Sequence, residues 1–184
     1  MNILMLVGSL RADSWTGHLV GAIPGLLPEG VESEVYAGIG DLPHYDQDLD
    51  TDGAPGAVVA FREALAQADA LVVATPEYNG SVPGVLKNAI DWASRPPGGG
   101  APLWGKTAAV AGATTGQYGA LWAQQDLRRI LGIAGARVLA GELPIARAQT
   151  LFDEALQLRD PLVAERLRTH LEALVQDASV PLAA

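Results

Sequence analysis

The sequence predicts an α/β fold: one open parallel sheet, doubly wound, with helices on both faces. Three observations carry this expectation. Apolar runs of strand length alternate with stretches of helical periodicity along the whole chain. One run, Ala70-Leu-Val-Val-Ala-Thr75, has the unbroken apolar character of a strand buried on both faces. The links between elements are short, and no repeat or internal linker interrupts them. At 184 residues the chain is expected to form a single domain, 1–184.

The elements follow in order. Asn2–Val7 is the first strand, closed by Gly8-Ser9. Ser14 offers an N-cap, and Trp15, Leu19, Ala22, Ile23 and Leu26 form one helical stripe. Pro24 falls inside that stripe and is expected to kink or shorten the helix. Val31–Ala37 is a second strand and Gly38–Asp52 a polar loop. Ala54–Ala68 reads as a helix with Pro55 in its first turn, where a missing N–H costs nothing. The strand Ala70–Thr75 and the loop Pro76–Ser81 come next. Val82, Val85, Leu86, Ala89, Ile90 and Ala93 then keep the i, i+3, i+4, i+7 spacing of a helix. Arg95-Pro-Pro-Gly-Gly-Gly100 breaks it. Thr107–Ala111 is a fourth strand, Gly112–Gly119 a loop, and Ala120–Ala134 a helix. Arg137–Leu143 is a fifth strand, and Pro161–Gln176 closes the chain as a helix.

Composition narrows the function. Twelve Lys and Arg against 21 Asp and Glu give a net charge of −9, which argues against nucleic acid and anionic membrane partners. The absence of cysteine removes disulfides, thiolate metal sites and cysteine nucleophiles. The N-terminus lacks a basic leader segment, and no apolar run nears the ~20 residues of a membrane helix, so a cytoplasmic setting is expected.

In open parallel sheets ligands bind beyond the carboxyl ends of the strands. The loops there, after strands one, three and four, concentrate glycine, hydroxyl and amide side chains. In the first, Gly8-Ser-Leu-Arg-Ala-Asp-Ser14-Trp-Thr-Gly17, Arg11 and the hydroxyls of Ser9, Ser14 and Thr16 gather at a helix N-terminus. That is a recipe for holding a phosphate monoester. The plainer alternative is an ordinary Ser N-cap beside a solvated Arg. In the second, Thr75-Pro-Glu-Tyr-Asn-Gly80-Ser-Val-Pro83, prolines stiffen a loop whose glycine permits close backbone approach to a flat ligand. A simple capped turn is the alternative there.

Four stretches carry a family resemblance. They are Gly8-Ser-Leu-Arg-x-x-Ser14, Asp41-Leu-Pro-x-Tyr-Asp-x-Asp48, the run from Ala68 through Thr75-Pro-Glu-Tyr-Asn to Ile90-Asp-Trp92, and Gln125-Asp-Leu-Arg128. On these the chain resembles the NADPH-dependent FMN reductases, flavodoxin-like flavoproteins that include quinone, azo-dye and chromate reductases. The resemblance implies a five-stranded sheet of order 2-1-3-4-5. It implies that Ser9, Arg11, Ser14, Trp15 and Thr16 hold the FMN phosphate. Pro76, Glu77, Tyr78, Asn79 and Gly80 would edge the flavin ring, and Thr114, Thr115 and Gly116 would close its other side. Thr16 stands where the family usually has Asn. The helix Pro83–Trp92 would lie at a homodimer interface.

The implied activity is an FMN-dependent oxidoreductase. Hydride would pass from NADPH (or NADH) through FMN to a small-molecule acceptor: a quinone, free flavin, azo compound or metal oxyanion. The chain would work as a homo-oligomer, a dimer or tetramer, with no catalytic side chain and no metal. One alternative is a flavodoxin-type electron carrier that serves protein partners without NADPH turnover. Another is a flavin-free interaction module.

Other motifs read differently. Gly100-Ala-Pro-Leu-Trp-Gly-Lys-Thr107 spells a nucleotide-binding P-loop but precedes a strand instead of following one. Asp48-x-Asp-x-Asp52-Gly53 copies half a calcium loop, with Val59 where the bidentate Glu belongs. His18, His44 and His170 show no metal-ligand spacing. Trp92, at the edge of its helix stripe, suits either core packing or subunit contact.

Overall fold

The computed structural model describes residues 1–96 and 100–180. Part of the predicted break after the third helix, 97–99, and the C-terminal residues 181–184 lie outside them. The chain runs β1 (Asn2–Val7), α1 (Trp15–Gly21), β2 (Glu32–Val35), α2 (Gly56–Gln67), β3 (Ala70–Ala74), α3 (Gly84–Ala93), β4 (Thr107–Ala113), α4 (Leu121–Ile133), β5 (Arg137–Val138), β6 (Pro144–Ile145) and α5 (Pro161–Ala178). The sheet is parallel, in the order β2-β1-β3-β4-β5, as expected, and β6 also pairs with β4.

Strand periodicity divides the core. Leu4, Leu6, Leu71, Val73 and Val110 face one side, with Val58, Phe61 and Leu65 of α2, Leu86 and Ile90 of α3, and Leu127 and Leu131 of α4. Ile3, Met5, Val72, Ala109 and Ala111 face the other, with Leu19 and Val20 of α1 and Leu167, Leu171 and Leu174 of α5. The central strands β1, β3 and β4 therefore bury both faces, which is why β3 reads as a continuous apolar run.

Several boundaries differ from expectation. The first helix stops at Gly21, and Pro24 opens a separate 3-10 turn, Pro24–Leu26, as a proline at that point dictates. The second strand shrinks to Glu32–Val35 at the sheet edge. The loop 38–52 is less polar in place than in sequence, since Ile39 and Leu42 are buried and two 3-10 turns shape it.

The fifth strand departs most. Only Arg137–Val138 pairs with the start of β4; the chain then bows away and returns as Pro144–Ile145 beside Gly112 and Ala113. Gly141 takes a positive φ of 85° in the bow. Side chains of α4 satisfy the backbone there: Arg128 Nε donates to Leu139 O (3.2 Å), and Leu143 N donates to Gln124 Oε1 (2.8 Å).

Trp92 belongs to the core. Its ring is fully buried, its Nε1–H donates to Pro43 O (2.8 Å), and Tyr45 packs edge-on at 4.9 Å. The P-loop look-alike leads into β4, at the opposite end of the sheet from the ligand loops. Lys106 Nζ there donates to the carbonyls of Ala66 and Ala68, and its burial pushes its pKa down.

Candidate active site

The loop after β1 begins at a close approach to β3. Gly8 N donates to Ala74 O (2.8 Å), and a Cβ on Gly8 would sit 3.0 Å from Leu86 Cδ2 and 3.2 Å from Pro76 Cδ. Glycine lets the loop leave the strand against β3. Arg11 then folds back: its N–H donates to Ser9 Oγ (3.3 Å) and its Nη2 to Asp13 O (2.9 Å). Ser14 caps α1, its Oγ accepting from Gly17 N at 3.0 Å, which leaves its O–H available to donate into the crevice that it lines. Thr16 is buried and its hydroxyl donates to Ala113 O (3.4 Å), tying this loop to the end of β4. The backbone N–H groups of Trp15 and Thr16 have no acceptor among the described residues. Trp15 packs its ring against Phe152 and His18, at centroid distances of 5.8 and 5.5 Å.

The loop after β3 is a miniature hairpin. Tyr78 and Ser81 exchange both backbone hydrogen bonds (3.0 and 3.1 Å), with Asn79 and Gly80 at φ 53° and 75°. Two consecutive positive φ values define the tight turn that Asn-Gly favours. Glu77 reaches sideways instead of toward the crevice alone. Its Oε2 accepts from Trp122 N (3.1 Å) and Ala123 N (3.2 Å), the first free amides of α4. Ser81 Oγ donates to Asp126 Oδ2 (2.7 Å) on the same helix.

The loop after β4 is fixed from behind by a segment with no clear sequence signal. Thr114 N donates to Ile145 O (3.1 Å), Ala148 N to Thr114 O (2.9 Å) and Arg147 N to Gly116 O (3.0 Å).

These three loops enclose a crevice of about 300 Å³ lined by Ser9, Arg11, Ser14, Trp15, Thr16, Pro76, Glu77, Tyr78, Ala113, Thr114 and Thr115. Asn79, Gly80 and Gly116, expected beside them, do not line it: the first two form the hairpin tip and Gly116 backs the third loop. Ala113, which sequence reasoning passed over, does. One end offers a guanidinium, hydroxyls and the unclaimed amides of Trp15 and Thr16; the other offers Pro76 and Tyr78. The donor set suits a phosphate monoester, and the flat, stiff end suits a planar ring.

The sequence profile of the NADPH-dependent FMN reductases matches residues 1–150. The chain belongs to this family. It is an oxidoreductase of the kind the four sequence stretches suggest, and FMN with a reduced nicotinamide dinucleotide are its family's cofactors. It is 43% identical over 175 residues to an NAD(P)H-dependent FMN reductase of Pseudomonas aeruginosa, covering 95% of this chain and 93% of that protein. A quinone reductase of Escherichia coli is 41% identical over 140 residues, 76% of this chain and 73% of that one. Among solved structures, the flavoenzyme NAD(P)H:(acceptor) oxidoreductase FerB of Paracoccus denitrificans superposes with a TM-score of 0.84 at 36% identity, covering 96% of both chains. Flavodoxin 1 of Bacillus cereus, 18% identical over 96% of this chain and 98% of that one with a TM-score of 0.58, shares the fold.

Proposed function

We propose that the whole chain, 1–184, acts as one FMN-binding domain that oxidises NAD(P)H and reduces a small acceptor, foremost a quinone. The observation that carries this reading is the crevice: an anion-binding end and a ring-binding end, brought together by the three loops at the carboxyl edge of the sheet. The relatives named as quinone reductases support the acceptor class.

FMN, when bound, would supply the two-electron redox chemistry that links a dihydronicotinamide to the acceptor. The protein's own groups bind and orient. Arg11 gives the phosphate a charge-assisted pair, Ser9 and Ser14 donate hydroxyls, and Trp15 and Thr16 donate backbone amides. Thr16 acts through its backbone, because its hydroxyl is held by Ala113 O. Pro76 and Tyr78 present a rigid edge to the ring, the Asn79-Gly80 turn behind them holds Tyr78 in place, and Glu77 fixes that edge to α4 through its carboxylate. Thr114 and Thr115 close the opposite side, with Gly116 behind them bound through its carbonyl to the segment 145–148. The chain works in the cytoplasm, where reduced nicotinamide is supplied, as a homo-oligomer with α3 at the contact.

Anaerobic stopped-flow mixing of FMN-loaded protein with NADPH tests the reading. Bleaching of the flavin absorbance, followed by its return on adding a benzoquinone, is the expected result. Bound flavin that NADPH and NADH both fail to bleach would leave an electron carrier in its place.

A further inference from the structure

Residues 9–13, the front of the first crevice loop, have little to hold them. Leu10, Arg11, Ala12 and Asp13 are exposed. Two hydrogen bonds, Arg11 N to Ser9 Oγ (3.3 Å) and Arg11 Nη2 to Asp13 O (2.9 Å), stay inside the loop. Among the described residues one polar contact leaves it: Asp13 Oδ1 lies 2.7 Å from Nε2 of His18, on α1. A carboxylate only accepts, so Nε2 carries the proton and donates.

The two partners are unlike. The side chain of Asp13 is 85% exposed and that of His18 only 15%. Rings fix the imidazole: Trp15 meets it edge-on at 5.5 Å, and Phe152 packs at 6.2 Å from it and 5.8 Å from Trp15. An exposed ion pair contributes little when both side chains must be ordered to form it. Here the histidine is ordered already, so the bond orders the loop. Asp13 is also the residue whose carbonyl holds the Arg11 guanidinium. One of five guanidinium N–H donors is taken there, and the others remain for an anion. Contacts thus run from Phe152 through His18 and Asp13 to Arg11. Of the last three, Arg11 alone lines the crevice, so any effect of His18 on a ligand there passes through it.

We infer that His18 is a positioning residue for the cofactor phosphate: its hydrogen bond to Asp13 holds Arg11 ready at the crevice. This rests on the phosphate-binding reading of the crevice given above, and adds the group that orders its guanidinium. Arginine loses rotamer freedom when it grips a phosphate, and an arginine held beforehand loses less. Riboflavin, which lacks the phosphate, gains nothing from that ordering.

Calorimetric titration of FMN and of riboflavin into His18 variants tests this. His18→Phe keeps a ring against Trp15 and Phe152 and removes the donor. Its Kd for FMN is expected to rise roughly 5-fold, with the Kd for riboflavin within about twofold of the parent. His18→Gln puts a donor back at the same reach and should return FMN binding to within about twofold of the parent. Because His18 acts through Arg11, the double variant Arg11→Ala/His18→Phe should bind FMN within about twofold of Arg11→Ala alone. An unchanged FMN Kd in His18→Phe overturns the inference, as does an equal weakening of both flavins, which marks a general loosening of α1. A glutamine variant as weak as the phenylalanine one, or a further loss of roughly 5-fold in the double variant, also overturns it. A parent that binds FMN no more tightly than riboflavin removes the phosphate reading itself, a failure seen without any variant.

Discussion

The carboxylate of Glu77 joins two loops that lie 45 residues apart in sequence. α4 starts at a left-handed Ala120 with no capping side chain and no acidic residue in its first turn. Glu77 supplies that missing cap from another element. Glu77→Ala is therefore expected to cost about 1 kcal/mol, the usual worth of an N-cap, and to lower Tm in a thermal melt. Glu77→Gln keeps an acceptor oxygen and should recover most of the loss. Equal melts for all three proteins would remove the cap from the account. His170 gives a second residue-scale prediction. It is half-buried between α5 and β4, with Nε2 3.1 Å from Val110 O, and this partial burial holds its pKa below the ordinary value of 6.5. Arg128 and Arg166 push in the same direction, while the Val110 carbonyl partly opposes them. The unfolded chain therefore binds this proton more readily than the folded one. Stability attributable to His170 is present above pH 6.5 and lost as pH falls below it toward the lowered folded value. Urea midpoints measured from pH 8 to pH 5 should fall less steeply in His170→Gln than in the parent. A parallel pair of curves would contradict the assignment.

At the level of elements, the helices and central strands could be read from the sequence because periodicity follows burial. β3 and α3 are clearest: β3 is buried at every position, and α3 buries Leu86, Ala89, Ile90, Trp92 and Ala93. The bow between β5 and β6 could not. Its composition, Arg137-Val-Leu-Ala-Gly-Glu-Leu143, is apolar enough to read as one short strand, but the decision is made by α4. Gln124, fully buried, donates Nε2 to Gly119 O (2.9 Å) and accepts from Leu143 N (2.8 Å). One side chain thus serves backbone groups of two different loops, and no local pattern announces that. Gln124→Ala leaves both groups buried without partners and should cost roughly 2–4 kcal/mol in a urea titration. A loss below about 0.5 kcal/mol would mean water or relaxation replaces both bonds. The three crevice loops were legible because strands of a parallel sheet point their carboxyl ends one way. The backing of the third loop by residues 145–148 has no sequence signal, since it consists of backbone hydrogen bonds between segments about 30 residues apart, a separation that local turn signals do not span.

On the scale of the molecule, a net charge of −9 sets the surroundings in which an anionic cofactor must be held. Long-range repulsion has to be overcome locally, by a guanidinium, hydroxyls and helix-start amides concentrated at one end of the crevice. The sheet makes this possible: β1, β3 and β4 deliver their loops to one edge, while the two hydrophobic layers and the buried Trp92 keep those strands in register. The central claim is that residues 9–16 grip a terminal phosphate. Riboflavin is FMN without that phosphate, so the claim reduces to one comparison: calorimetric titration of FMN and of riboflavin into the parent protein and into Arg11→Ala. The account predicts that the parent binds FMN about 100-fold more tightly than riboflavin, a difference of roughly 2.7 kcal/mol, and that Arg11→Ala narrows the gap about tenfold by weakening FMN alone. Equal affinity of the parent for the two flavins would contradict it.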